Sequence, residues 1–264
     1  MSDGSGGPPA QIVRYGVAGG VATLTLDSPS NRNALSALLL DQLTAGLDRA
    51  LADAAVRVLV LSHTGPVFCA GMDLKAAAVP DPDKQPVRAF PRVLQRIWES
   101  PKPVLARVAG KARAGGIGLV AACDIAVGAE SADFAFTEVR IGVIPAVISV
   151  PVLPRMLPRA AHELFLTGET FGATRAATVG LLNAAVPDAD LDAEVARYCR
   201  LLVQGAPGAL AATKQLLHRP STGSMPEDFA ELSALSARHF AGEEGQEGIA
   251  AFREKRPPRW VLPE

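Results

Sequence analysis

The stretch VLARVAGKARAGGIGLVAACDIAVG, residues 104–128, decides how the chain is read. Residues 104–108 are short, apolar and β-branched, as a buried strand requires. Residues 110–116 carry small residues and read as a loop. Residues 117–123 start an apolar helix, and 124–128 return to strand character. One strand, one glycine-rich loop, one buried helix and a second buried strand make an α/β unit.

Working outward, the same grammar recurs. Residues 11–15 and 21–26 predict two strands with a turn at 18–20. A polar loop follows at 27–32. Leu35, Leu38, Leu39, Leu43, Leu47 and Leu51 then recur at helical spacing. Residues 55–61 predict a buried strand, 65–71 a turn, 72–78 a short helix, 80–86 a proline-rich break and 87–99 another helix. Residues 133–137 are strand-like. From about residue 160 the pattern turns helical, at 160–166, 174–180, 190–204, 207–217, 225–241 and 244–255. The organisation expected is a lead over 1–10, an α/β core over 11–200 and a helical region over 201–264.

Composition narrows the function. The chain has 264 residues, of which 48% are hydrophobic and 20% charged, with a net charge of -1. No basic excess points to nucleic acid, and no apolar stretch of membrane-spanning length runs unbroken. The lead over 1–10 is Gly/Ser/Pro-rich without the apolar run of a signal peptide. Cys69, Cys123 and Cys199 fit neither zinc nor CxxC spacing, so reduced buried thiols in a cytoplasmic protein are expected. His63, His162, His218 and His239 show no metal spacing.

Two loops carry the chemistry. Phe68-Cys69-Ala70-Gly71-Met72-Asp73-Leu74 and Ala114-Gly115-Gly116-Ile117-Gly118 each follow a short strand and run into a predicted helix. Small residues let a ligand approach the backbone, and free N–H groups at a helix start favour negative charge. Two such donors on one oxygen form an oxyanion hole, each worth roughly 2.7–4 kcal/mol of barrier. Neither loop has the GxGxxG or Walker pattern of nucleotide binding. Packing glycines are the plainer reading of either loop alone.

Along nearly its whole length the chain resembles the crotonase (enoyl-CoA hydratase/isomerase) superfamily. The resemblance rests on Asn31-Arg32-Asn33-Ala34-Leu35-Ser36, on both loops, and on Phe134 to Glu138. It rests further on Gly142-Val143-Ile144-Pro145, Leu164-Phe165-Leu166-Thr167-Gly168-Glu169 and Glu247-Gly248-Ile249-Ala250-Ala251-Phe252. It implies a spiral of ββα units with a C-terminal helical trimerisation region, a homotrimer or dimer of trimers, an acyl-CoA substrate and no metal or redox cofactor.

The resemblance makes the N–H groups of Met72 and Gly115 the oxyanion donors. Ser30, Asn31 and Arg32, with Ala70, Asp73 and Leu74, would line coenzyme A, alongside Gly116 and Gly118. Phe252 and Lys255 would reach the coenzyme of a neighbouring subunit. A solvated basic patch with Arg253 and Arg256 is the equal alternative for Lys255. Family hydratases share one water between two glutamates. Here the second position is Glu138, but the first is Gly118, which cannot carry a proton. Glu138 could alternatively be a surface residue paired with Arg140.

Three functions stay open. Hydration of a 2-enoyl-CoA leads, and the segment from Glu138 to Ser149 also resembles a branch with methylglutaconyl-CoA hydratase-like members. Isomerisation of a 3-enoyl-CoA by one glutamate is second, and a weakly active acyl-CoA-binding scaffold third. Arg113 would either receive a carboxylate on the acyl group or make an outward salt bridge. Cys69, beside the first donor, is a remote candidate nucleophile. The acyl pocket is expected from 76–92, the least family-like stretch.

Overall fold

The computed structural model describes residues 10–74 and 88–261. Expectations for 80–86, for most of 72–78 and 76–92, and for nearly all of the 1–10 lead fall outside those residues.

The chain opens with strands β1 (Val13–Ala18) and β2 (Val21–Leu26), paired antiparallel. The turn is tighter than expected, because Gly19 and Gly20 at φ 54° and 77° make the reversal alone and leave Ala18 in the ladder opposite Val21. Helix α1 (Ala37–Ala52) starts where the Ser36 side chain accepts from the Leu39 N–H, and Leu39, Leu40, Leu43 and Leu47 form its buried face.

Three repeats then share one plan. Strand β3 (Val58–His63) is followed by β4 (Val67–Cys69) and α2 (Phe90–Trp98). Strand β5 (Val104–Val108) is followed by β6 (Lys111–Arg113) and α3 (Gly115–Ala122). Strand β7 (Ile125–Ala129) is followed by β8 (Asp133–Ala135), a 3-10 turn at Thr137–Ile141 and α4 (Ala146–Val152). The first strand of each repeat enters a six-stranded sheet, β1-β2-β3-β5-β7-β10, and the second enters a four-stranded sheet, β4-β6-β8-β9. Here β9 is Phe171–Gly172 and β10 is Ala184–Val186. Strands from successive repeats pair parallel. The result is the α/β spiral of ββα units.

The structure corrects several local expectations. The loops expected at 65–71 and 110–116 contain β4 and β6, and α4, β9 and β10 were not anticipated. Strands of two or three residues have too few positions to show a period-2 pattern, and their partners lie one repeat away. Residues 136–137, expected as strand, have already left β8.

The C-terminal helices follow expectation closely: α5 (Pro158–Thr167), α6 (Ala173–Thr178), α7 (Leu191–Val203), α8 (Pro207–His218), α9 (Met225–Ala241) and α10 (Glu243–Glu254). The boundary drawn at 200 lies inside α7, whose Leu191, Val195 and Cys199 pack on Val58, Val60 and Leu105 of the large sheet. Helix α8 is tied to the core by Lys214. Its Nζ donates to the Ile97 carbonyl at 2.9 Å and to Asp124 Oδ2 at 2.8 Å, and Asp124 Oδ2 also accepts from the Val104 N–H at 2.8 Å.

Candidate active site

Both sequence-predicted loops meet beside the N-terminus of α3. Every residue of α3 is buried, consistent with its unbroken apolar sequence. Gly115 is its first residue, so its N–H has no carbonyl one turn back to bind. Ala114 precedes it at φ 47°, ψ −118°, a conformation that costs a side-chain-bearing residue about 1–3 kcal/mol. The Ala114 N–H is held by the Ala135 carbonyl at 3.2 Å, so β8 anchors the turn that aims α3. Nothing in the sequence signals this strained alanine.

The first loop is laid against the second by close backbone packing. Gly71 has φ +88°, and a Cβ there would stand 3.0 Å from Ala114 Cβ and 3.2 Å from the Arg113 carbonyl. A Cβ on Gly116 would stand 2.5 Å from the Cys69 carbonyl. These glycines therefore set the spacing of the two loops. Met72 forms a parallel bridge with Leu35, in which Leu35 N–H donates to Gly71 O at 2.8 Å and Leu35 O accepts from Asp73 N–H at 3.5 Å. Leu35 thus uses the groups flanking Met72, and the Met72 N–H points away from it.

Asn33 fastens this loop from below. Fully buried, it accepts from the Ser28 N–H at 2.7 Å and donates to the carbonyls of Thr64 at 3.1 Å and Val67 at 2.8 Å. The motif around Asn33 carries no sign of this task in sequence. The exposed Ser30, Asn31 and Arg32 sit next along the chain, and the Arg32 carbonyl accepts from the Ala70 N–H at 3.0 Å.

Met72, Gly115, Ala70, Leu74 and Glu138 line one cavity of about 580 Å³. The rest of its wall is mainly apolar, from Phe90, Ile141, Val143, Ile144, Val147 and Ile148. Glu138 sits in the 3-10 turn after β8 and is only 8% exposed. Its Oε2 is buried without a hydrogen-bond partner among the described residues. Burial pushes its carboxyl above the ordinary value, partly offset by a hydrogen bond from its own backbone N–H. Pairing with Arg140 does not occur, since that guanidinium donates to the carbonyls of Gly168 at 3.0 Å and Thr167 at 2.9 Å.

Gly118, in α3, faces a filled space. A Cβ at Gly118 would lie 2.6 Å from Ile148 Cγ2 and 3.1 Å from Ile148 Cβ. Ile148 of α4 thus occupies the room into which a side chain at 118 would grow. Arg113 is engaged elsewhere: it forms a salt bridge with Asp133 and donates to the Asp133 carbonyl at 2.9 Å. The salt-bridge reading of Arg113 is the one found.

Other expected residues are dispersed. Phe252 is 86% exposed and lines a separate groove with Phe240, Ile249 and Trp260, away from the Glu138 cavity of its own chain. Lys255 closes the C-terminus of α10 at φ 54°. Cys69 is fully buried, and burial pushes its thiol up to about 12, which removes it as a nucleophile at neutral pH. Among the described residues no cluster of His, Cys, Asp and Glu could hold a metal ion, and no helix is long and apolar enough to cross a membrane.

Comparison with known proteins places the chain in a family and a fold. The family model for enoyl-CoA hydratase/isomerase matches residues 16–262. A "Probable enoyl-CoA hydratase" of Rhodobacter capsulatus is 36% identical over 94% of this chain and 97% of its own. The carnitinyl-CoA dehydratase of Escherichia coli O157:H7 is 34% identical over 92% of this chain and 95% of its own. The crystal structure of an enoyl-CoA hydratase from Mycobacterium smegmatis superposes with a TM-score of 0.89, at 33% identity, over 96% of this chain and 100% of that one.

Proposed function

Because the chain belongs to the enoyl-CoA hydratase/isomerase family, we propose that it adds water across the double bond of a 2-enoyl-CoA with a single carboxylate, Glu138. The Met72 and Gly115 N–H groups receive the thioester oxygen. Glu138 takes a proton from water, and the resulting hydroxide oxygen bonds to C3. The C2=C3 electrons move onto the thioester oxygen as an enolate, which the two donors stabilise. Collapse of the enolate returns the proton from Glu138 to C2, so the proton balance closes with one group.

One observation carries this reading: a buried carboxylate with an unpartnered oxygen shares an apolar cavity with both N–H donors. Ser30, Asn31, Arg32, Ala70, Asp73 and Leu74 are assigned to coenzyme A, with Gly116 and Gly118 acting through close packing. Phe252 and Lys255 are assigned to a neighbouring subunit's coenzyme in a trimer or dimer of trimers. The exposure of Phe229, Phe240 and Phe252 on α9 and α10 supports such an assembly. Three free buried cysteines support a reducing compartment such as the cytoplasm.

A second reading, transfer of a proton from C2 to C4 of a 3-enoyl-CoA, is favoured by Ile148. An apolar group where another acid would hold water suits a reaction that needs no water. Absorbance of the conjugated thioester separates the two. Its loss from a 2-enoyl-CoA means hydration, and its appearance from a 3-enoyl-CoA means isomerisation. No change with either substrate defeats both.

A further inference from the structure

A second void lies beside the Glu138 cavity. It measures about 540 Å³ and runs between α2 and α4, lined by Leu94, Gln95, Trp98, Val147, Val150 and Pro151 among others. Val147 belongs to the walls of both voids. Phe90 and Ile148 face the first and their near neighbours Pro91 and Val150 the second, so both voids follow the same helix pair. Among the described residues of the two linings there is no lysine or arginine, and Glu138 and Glu99 are the ionisable groups. Arg113, the cation adjoining the Gly115 loop, is committed to Asp133.

We propose that the space between α2 and α4 is the seat of the acyl tail, and that the substrate is an uncharged acyl-CoA of medium to long chain rather than a short or dicarboxylic one. The proposal rests on the reading that the Glu138 cavity holds the thioester. With that group against Met72 and Gly115, the chain beyond C4 passes Val147 and lies along Leu94, Trp98 and Val150. A terminal carboxylate on that path would meet apolar walls and Glu99, with no cation among the described lining residues to receive it, and its desolvation would go uncompensated by them. Each methylene fully buried there improves binding about fourfold.

The test is a chain-length series on the intact protein. Affinity for saturated acyl-CoAs from four to twelve carbons, and kcat/KM for the matching enoyl-CoAs, are measured with a glutaconyl-type dicarboxylic thioester alongside. Expected is at least a tenfold gain in affinity and in kcat/KM from four to ten carbons, with the dicarboxylic thioester weakest. Val147→Trp narrows the passage between the voids, and Val150→Trp, at a surface position, fills the outer one. Each is expected to lower the ten-to-four-carbon ratio at least tenfold. A flat series, a preference for the dicarboxylic thioester, or ratios unchanged in both variants would overturn the proposal. Absence of turnover at every length, with the affinity series intact, sinks the Glu138 chemistry and leaves the acyl-tail assignment standing.

Discussion

Adding one methyl group at Gly118 tests whether Ile148 truly fills the space of a second acid. In an otherwise unhindered helix Gly→Ala stabilises by about 0.5–1 kcal/mol, through the unfolded chain's lost freedom. Here the new Cβ would lie 2.6 Å from Ile148 Cγ2, some 0.8 Å inside the 3.4 Å where ordinary contact begins. Both residues are buried, at the packed junction of α3 and α4, so neither can swing into solvent. Overpacking of this kind costs about 1–3 kcal/mol, and it outweighs the helix gain. Gly118→Ala is therefore expected to destabilise. Ile148→Ala removes Cγ2 and alone costs about 2–5 kcal/mol as a cavity. In that background only the 3.1 Å approach to the Cβ of residue 148 remains, so Gly118→Ala should cost less, a coupling of about 1–3 kcal/mol. Ile148→Val keeps Cγ2 and should not give relief. Urea unfolding at one fixed protein concentration reads all of these. If Gly118→Ala stabilises the wild-type background, or costs the same with and without Ile148, the space beside Gly118 is open and the one-carboxylate argument loses its basis.

Glu138→Gln should lower kcat about 10²–10⁴-fold while leaving acyl-CoA affinity nearly unchanged. It should also raise Tm at neutral pH. Burial raises the Glu138 pKa above its ordinary 4.5, so the native state holds this proton more tightly than the unfolded chain does. The stability that Glu138 contributes is complete below that ordinary value and is lost as pH rises through the raised one. Tm of the two proteins should therefore converge near pH 4 and separate towards neutrality; a constant difference across pH would refute the assigned cause. Lys214→Met should cost about 3–5 kcal/mol in urea unfolding, because Asp124 stays behind at a largely buried site with the Val104 N–H but without its salt-bridge partner. Adding Asp124→Asn to it should recover part of that loss.

Much of the site was legible before any coordinates. Gly71, Gly115 and Gly116 are needed because backbone meets backbone, and a missing side chain is a property written in sequence. Glu138 is singled out by the family resemblance, with Phe134 and Phe136 close to it in sequence. Less visible was what surrounds these residues. Ile148 is an unremarkable aliphatic until α4 brings it over Gly118. Asn33 reads as a polar loop residue until Thr64 and Val67 present their carbonyls to it. The φ of Ala114 is forced by its attachment to Ala135 and by the need to start α3 at once, and alanine carries no trace of that demand.

By itself, then, the sequence determined the alternation of buried strands and helices, the two glycine loops and the absence of an ionisable side chain at 118. Those are local properties, set by apolar spacing over a few residues and by which atoms a residue has. Only the tertiary structure decided that β4, β6 and β8 form a second sheet, because a three-residue strand is stabilised by partners contributed from the next repeat. Only it decided that Arg113 answers Asp133 and not a substrate, and that the room beside Gly118 is taken. Side-chain partners are chosen by distance in space, and residues 118 and 148 become neighbours only when α3 packs on α4.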